Sequence, residues 1–461
     1  MASNSSIPTE LGTENIGKLL KQYALPAIIA QIATSIYNMV DSIYIGQGVG
    51  PLAISGLAVT FPLMNLSTAF GTLVGAGAAT ILSVFLGRKK YSACNKVLSN
   101  VVSLNIIIGA LFMLVSLLFL DKILYFFGAS EQTLPYAREY MKIILYGNII
   151  THLYFGLNAA MRSTGSPKKA MGLTIFTVII NSILDPIFIF TLDMGVQGAA
   201  LATVISQGIS CAWVLFFLMG KKAILRIRPD TIRISLERSK RIMTLGITGF
   251  VMQGTNSLVS IVCNNQLQIF GETLAGGGGD LYVGVMTVLN SVRELLSLPV
   301  GGIASGGQPV IGYNYGAGEY KRVKEGIRFI TLLAGSYTLI SWAVVMLIPR
   351  VMIGMFTDDV TTIDVGARML TIYFFGFVFM SLQFAGQCTF QGLGFAKQAV
   401  TFALFRKVVI IVPLTLLLPR IGFSVEGVFI AEPVSNILGG LVCFTTMWLT
   451  VYKRLDIPPK S

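Results

Sequence analysis

The sequence predicts an all-α membrane protein: twelve transmembrane helices in two pseudo-symmetric six-helix bundles. Three observations carry this expectation. Apolar residues make up 54% of the 461-residue chain and charged residues only 12%, against about 25% charged in a soluble domain, too few to cover a water-facing surface. Uncharged runs such as 101–120 and 332–349 approach or reach the roughly 20 residues that cross a bilayer as a helix. The second half also repeats the first. At an offset of 229, Val59 meets Val288, Gly77 meets Gly306, Gly87 meets Gly316, Tyr91 meets Tyr320, Gly165 meets Gly394, Lys168 meets Lys397 and Ser206 meets Ser435.

Apolar runs between polar or glycine-rich breaks place the spans at 22–45, 52–80, 97–120, 136–161, 169–192 and 196–219. A second set follows at 242–270, 282–308, 326–348, 365–391, 399–418 and 426–451. The domains expected are an N-terminal bundle (1–220), a basic cytoplasmic linker (221–241) and a C-terminal bundle (242–461). Near the start of each half the better offset is 222, pairing Gln31 with Gln253 and Ser35 with Ser257, so the second half carries extra residues near Ala275–Asp280. A loop accommodates such an insertion at small entropic cost.

The net charge of +13 is a topology signal. Lysines and arginines gather in alternate connections (Lys18 and Lys21; Arg88–Lys90; Arg162, Lys168 and Lys169; 221–241; Lys321–Arg328; Lys397; Lys453 and Arg454). By the positive-inside rule both termini and the central linker are cytoplasmic, and the charge asks for no nucleic-acid partner. The polar N-terminus has no basic region followed by a short apolar core, so no cleavable signal is expected. Five scattered cysteines fit neither a disulfide framework nor a zinc site. There is no phosphate-binding loop, nucleophile elbow or zinc-protease motif, and one histidine cannot build a His-based metal cluster. An enzyme is therefore not expected, nor any cofactor.

Polar side chains inside spans are the functional candidates, because charge is costly there. In the first helix Gln31, Thr34, Asn38 and Asp41 share one face beside Tyr37, a polar stripe ending in a carboxylate. Pro26 precedes it, a candidate hinge since proline removes a helix hydrogen bond. In the fifth helix Thr177, Asn181 and Asp185 form a second stripe, followed by Pro186. Two carboxylates in one apolar pocket either hold a proton between them, since desolvation and like charge oppose double ionisation, or join amide and hydroxyl oxygens around a hard cation such as Na⁺. His152, in the fourth helix, reads as a buried neutral imidazole.

The second half differs. Its first helix carries Gln253, Asn256, Ser260 and Asn264, with Cys263 near the place of Asp41; Glu432 stands where the first half has Thr203. Glu294 and Glu432 are candidate cavity residues, and Arg406 and Lys407 are expected to snorkel toward the cytoplasmic end of the eleventh helix. Duplicated halves of like orientation are a design of alternating-access transporters.

The segments YALP…YNMVD around Pro26 and Asp41, RSTGSPKK after the fourth span, NSILDP in the fifth and AEPVSN near the end resemble the MATE (multidrug and toxic compound extrusion) transporters. The likeness spans residues 17–452 and is greatest to the DinF-like branch, MepA-type bacterial pumps in particular. It implies a V-shaped pair of bundles in a bacterial cytoplasmic membrane, monomeric and without an obligate protein partner, exporting small lipophilic cations in exchange for H⁺ or Na⁺. It also implies an ion-coupling site at Asp41, Asn181, Asp185 and Thr203, which is where Na⁺ would bind. Tyr37, Asn38, Asn158, Gln253, Asn256, Glu294 and Glu432 are the possible substrate-cavity residues. The competing readings are a flippase for a lipid-linked oligosaccharide, disfavoured by the absence of a basic cavity signal in the spans, and an uncoupled channel or receptor.

Overall fold

The computed structural model describes residues 9–220, 223–227, 234–273 and 278–456, and among them there is helix but no strand. A short α1 (Thr9–Thr13) leads into α2 (Ile16–Gly48), α3 (Pro51–Gly87), α4 (Tyr91–Leu118), α5 (Leu120–Phe126), α6 (Leu134–Tyr146), α7 (Asn148–Ser163), α8 (Pro167–Pro186) and α9 (Gly195–Met219). The second series is α10 (Leu236–Glu272), α11 (Gly279–Ala317), α12 (Tyr320–Leu347), α13 (Pro349–Gly354), α14 (Val360–Phe374), α15 (Met380–Gly392), α16 (Ala396–Leu404), α17 (Val412–Leu417) and α18 (Ser424–Thr450). Helices α4 and α12, α5 and α13, α8 and α16, and α9 and α18 begin 229 residues apart, the offset of the sequence repeat.

Among the described residues, ten segments are long and apolar enough to cross a membrane, and a further bent pair, α14 with Phe377–Gly392, makes an eleventh with a 44° bend. The fourth predicted span is not one helix: α6 ends at Tyr146 and α7 begins at Asn148. Gly147 marks the break, and a β-carbon there would lie 2.5 Å from Val204 Cγ2, so packing against α9 requires glycine at this position. Two spans contain a π-helical stretch, Ile187–Thr191 after α8 and Phe405–Ile411 between α16 and α17. Each adjoins a proline, Pro186 or Pro413, which lacks the amide that regular α-helix needs. Pro26, the expected hinge, is buried and leaves α2 one continuous helix over Ile16–Gly48.

The chain divides into two compact units. The first comprises Met1–Asn15, Leu25–Phe250 and Gly312–Gly318; the second comprises Ile16–Ala24, Val251–Ile311 and Glu319–Ser461. In the first unit α3 is central, with 78% of its most apolar window buried, and in the second α18 is the most enclosed long helix, with 61%. The first core gathers Leu57, Leu63, Leu124, Tyr140, Met141, Leu145 and Ala199, the second Leu267, Leu289, Leu370, Phe374, Phe377 and Phe429. Repeat-related glycines serve close backbone approaches. In the first unit a β-carbon on Gly87 would strike the Tyr313 carbonyl oxygen and one on Gly316 the Val84 carbonyl oxygen.

The predicted linker lies partly outside the described residues, as do residues 275–277 of the extra loop. What is described of the linker packs on the first unit: Ala223, Leu225 and Ile227 are buried. The Arg226 amide donates to Asn95 Oδ1 at 3.0 Å, and Ser235 and Ser239 engage Asn100 at 2.9 Å each. Helix α10 takes its last residues, from Leu236 onward.

Candidate functional site

The fifth-span stripe folds as its spacing dictates. Thr177, Asn181 and Asp185 project from one side of α8 at four-residue intervals and all are buried. Asn181 Nδ2 donates to Asp185 Oδ1 and to Thr203 Oγ1 on α9, both at 3.4 Å. Thr203 Oγ1 in turn lies 2.9 Å from Tyr37 Oη on α2. One turn on from Tyr37 is Asp41, 8% exposed, its Oδ1 buried without a hydrogen-bond partner. Asp41 is within electrostatic reach of Asp185 and of Tyr37. The two carboxylates, the amide and the hydroxyl thus meet inside the first unit, drawn from α2, α8 and α9.

Three further side chains extend this cluster, none of them marked out by the sequence. Tyr140 on α6 is 1% exposed and within electrostatic reach of Asp41 and Asp185. Thr177 Oγ1 lies 2.7 Å from Ser210 Oγ and 3.3 Å from Tyr154 Oη. Tyrosine and serine hydroxyls in apolar spans carry no sequence signal of their own, since each is equally at home on a helix neighbour's carbonyl.

Chemically, the cluster offers two acids and neutral oxygens in surroundings that penalise charge. Either a proton or a bare cation relieves Asp41 and Asp185, and the oxygen donors suit a hard ion. Among the described residues no group of three or more His, Cys, Asp or Glu forms a metal cluster, so any cation here rests on two carboxylates and uncharged oxygens.

The remaining sequence candidates lie elsewhere. Asn38 is exposed, its carbonyl accepting from Ser42 Oγ at 2.9 Å. Asn158 Nδ2 donates to the Ala170 carbonyl and Thr174 Oγ1, both at 3.3 Å. Gln253 and Glu294 are exposed. His152 is fully buried, with Nε2 3.3 Å from Ser67 Oγ. Asn256 and Glu432 line one cavity of the second unit.

That cavity corrects one expectation. Arg406 and Lys407 do not snorkel; they are 8% and 6% exposed, turned inward from the π-helical stretch. Glu432 on α18 accepts from Arg406 Nη1 at 3.4 Å and from Arg293 Nη1 at 3.3 Å. Arg406 also donates to Asn436. A carboxylate one helix away outweighs the reach to the interface, because an ion pair inside the protein replaces the hydration that snorkelling would seek.

The MatE family model matches the chain twice, over residues 26–187 and 256–417, one match in each half. The Multidrug export protein MepA of Staphylococcus aureus (strain NCTC 8325 / PS 47) is 26% identical over 429 residues, covering 93% of both chains. A multidrug resistance MATE family transporter of the MOP superfamily, solved in an outward-facing conformation, superposes with a TM-score of 0.89 at 23% identity over 98% of each chain. A MATE crystal structure in the bent conformation gives 0.89 at 23% identity, over 97% of this chain and 98% of that one. The two family-model matches, the repeat in helix order and the long apolar helices agree: the chain belongs to the MatE family and is a membrane transporter, not an enzyme.

Proposed function

We propose that this protein exports lipophilic cations across a bacterial cytoplasmic membrane in exchange for H⁺ or Na⁺, with both termini cytoplasmic and as a monomer. The observation that carries the coupling is the buried meeting of Asp41 and Asp185 with Asn181, Thr203 and Tyr37, in which one oxygen of Asp41 has no hydrogen-bond partner. An ion that binds this cluster in one conformation more tightly than in another shifts the equilibrium between them, and a drug favouring the other conformation then competes with it. Exchange follows from that competition. Supporting the class of cargo is the similarity to proteins named for multidrug export; supporting a change of shape is the related MATE structure in a bent conformation. Pro26 at the base of the α2 stripe is the hinge in this scheme.

The test is uptake of rhodamine 123, a lipophilic cation, into inside-out vesicles carrying the protein, with H⁺ and Na⁺ gradients imposed separately. Accumulation driven by one gradient identifies the coupling ion. Absence of accumulation under both, with correctly folded protein, rejects the antiport assignment and favours the lipid-flippase reading.

A further inference from the structure

The second unit holds a charged cluster that the exchange scheme leaves unused. Arg293 on α11, Lys407 from the π-helical stretch and Glu432 on α18 line a cavity of about 20 Å³ together with Asn256, Cys263 and Tyr373, and Arg406 adjoins it through its bond to Glu432. Three cations therefore surround one carboxylate. Glu432 is engaged by both arginines. Lys407, 6% exposed, makes no hydrogen bond or ion pair among the described residues, and Arg293 Nε is buried without an acceptor. The next carboxylate along the chain, Glu294, is exposed. Glu294 acts on Arg293 from that exposed position, so within the cavity lining Glu432 is the one carboxylate facing the cations, and charge only partly compensated inside a membrane protein is costly.

The repeat sharpens the point. Cys263 occupies the place of Asp41, Arg406 that of Thr177, Leu414 that of Asp185 and Glu432 that of Thr203. The positions that hold both carboxylates in the first unit hold none in the second, while Arg293 and Lys407 stand where the first half has the uncharged Met64 and Val178. About 20 Å³ is more than the minimum that one water needs and has room for a single small anionic group.

We propose that this cavity seats one monovalent anionic group against Lys407 and Arg293: either a free halide ion or the carboxylate of a zwitterionic substrate. The binding does not depend on the antiport scheme. Its test is the melting temperature of the detergent-purified full chain, followed by far-ultraviolet circular dichroism. Sodium chloride replaces sodium sulfate at constant ionic strength in one arm. In the other, rhodamine 110, which bears a free carboxylate, is compared with its methyl ester, rhodamine 123. Two variants accompany the wild type: Lys407→Met, and Cys263→Asp, which places a tethered carboxylate beside the cations and keeps the comparison available if the first variant fails to fold.

A saturable rise of about 3 °C with chloride, absent in both variants, is the expected result and makes a halide the occupant. A rise with rhodamine 110 that exceeds the rise with its ester, with none in chloride and the excess absent in the variants, supports the seat and makes a substrate carboxylate the occupant. No rise with chloride and no excess of rhodamine 110 over its ester in the wild type, or an equal response in the variants, overturns the proposal.

Discussion

At the scale of single residues, Asp41 is the side chain on which the coupling proposal turns. Asp41→Asn keeps the shape and removes the titratable charge, so rhodamine 123 transport into vesicles is expected to fall to the level of empty membranes while the protein still inserts. Full transport by this variant rejects the assignment. Tyr37→Phe removes only the 2.9 Å contact with Thr203 and is expected to slow transport about threefold, the worth of one ordinary hydrogen bond. Outside the spans, Asp359 caps α14, accepting from the Thr362 hydroxyl at 2.6 Å and amide at 2.8 Å. These bonds hold its carboxyl below the usual carboxylate range. A carboxyl depressed in the folded state stabilises it above its unfolded pKa of about 3.9 and loses that contribution as pH falls through the lower folded value. The difference in amide-exchange protection of α14 between wild type and Asp359→Ala is therefore expected to be constant at pH 5 and above, about a unit over the unfolded pKa, and to shrink below it. The acidic residues of the first unit were legible because a carboxylate in an apolar run is too costly to sit there without a partner, a proton or an ion. Arg406 and Lys407 were misplaced because long cationic side chains can reach toward the interface from within a span, and the partner, Glu432, is on another helix.

Elements obey the same logic of local chemistry meeting its neighbours. Helix existence and order followed from hydropathy, and the repeat offset reappears in four pairs of helix starts. The breaks did not follow. The need for glycine at 147, between α6 and α7, answers to Val204 on α9, a contact no window along one segment contains, and the π-helical stretches signalled only that a proline was near. Close crossings are where substitution is least tolerated. Gly87→Ala would press a methyl onto the Tyr313 carbonyl and within 2.8 Å of the Ala317 amide nitrogen, backbone atoms that cannot rotate away. A loss of about 1–3 kcal/mol is expected, read as a lower melting temperature and reduced monodisperse yield in size-exclusion chromatography; wild-type behaviour would mean that the two backbones can move apart at little cost.

For the whole molecule, the arrangement of cysteines makes a further prediction. All five are free and buried, so a membrane-impermeant maleimide is expected to leave the native protein unmodified and to label it only after denaturation; labelling of the native chain would show that a helix carrying one of them opens to water. A single added cysteine at Lys397 is expected to react from the cytoplasmic side only, which tests the orientation read from the basic connections. The basic cluster of the second unit also bears on how the chain is made. Arg406 and Lys407 leave the ribosome ahead of Glu432, which follows Arg406 by 26 residues, so the segment bearing both cations reaches the translocon while the carboxylate that engages Arg406 is still inside the ribosome. Each such cation near the centre of a helix costs about 2.5–3.5 kcal/mol to insert alone. The last two spans are thus expected to enter the bilayer as a hairpin, with the ion pair to Glu432 offsetting part of that cost.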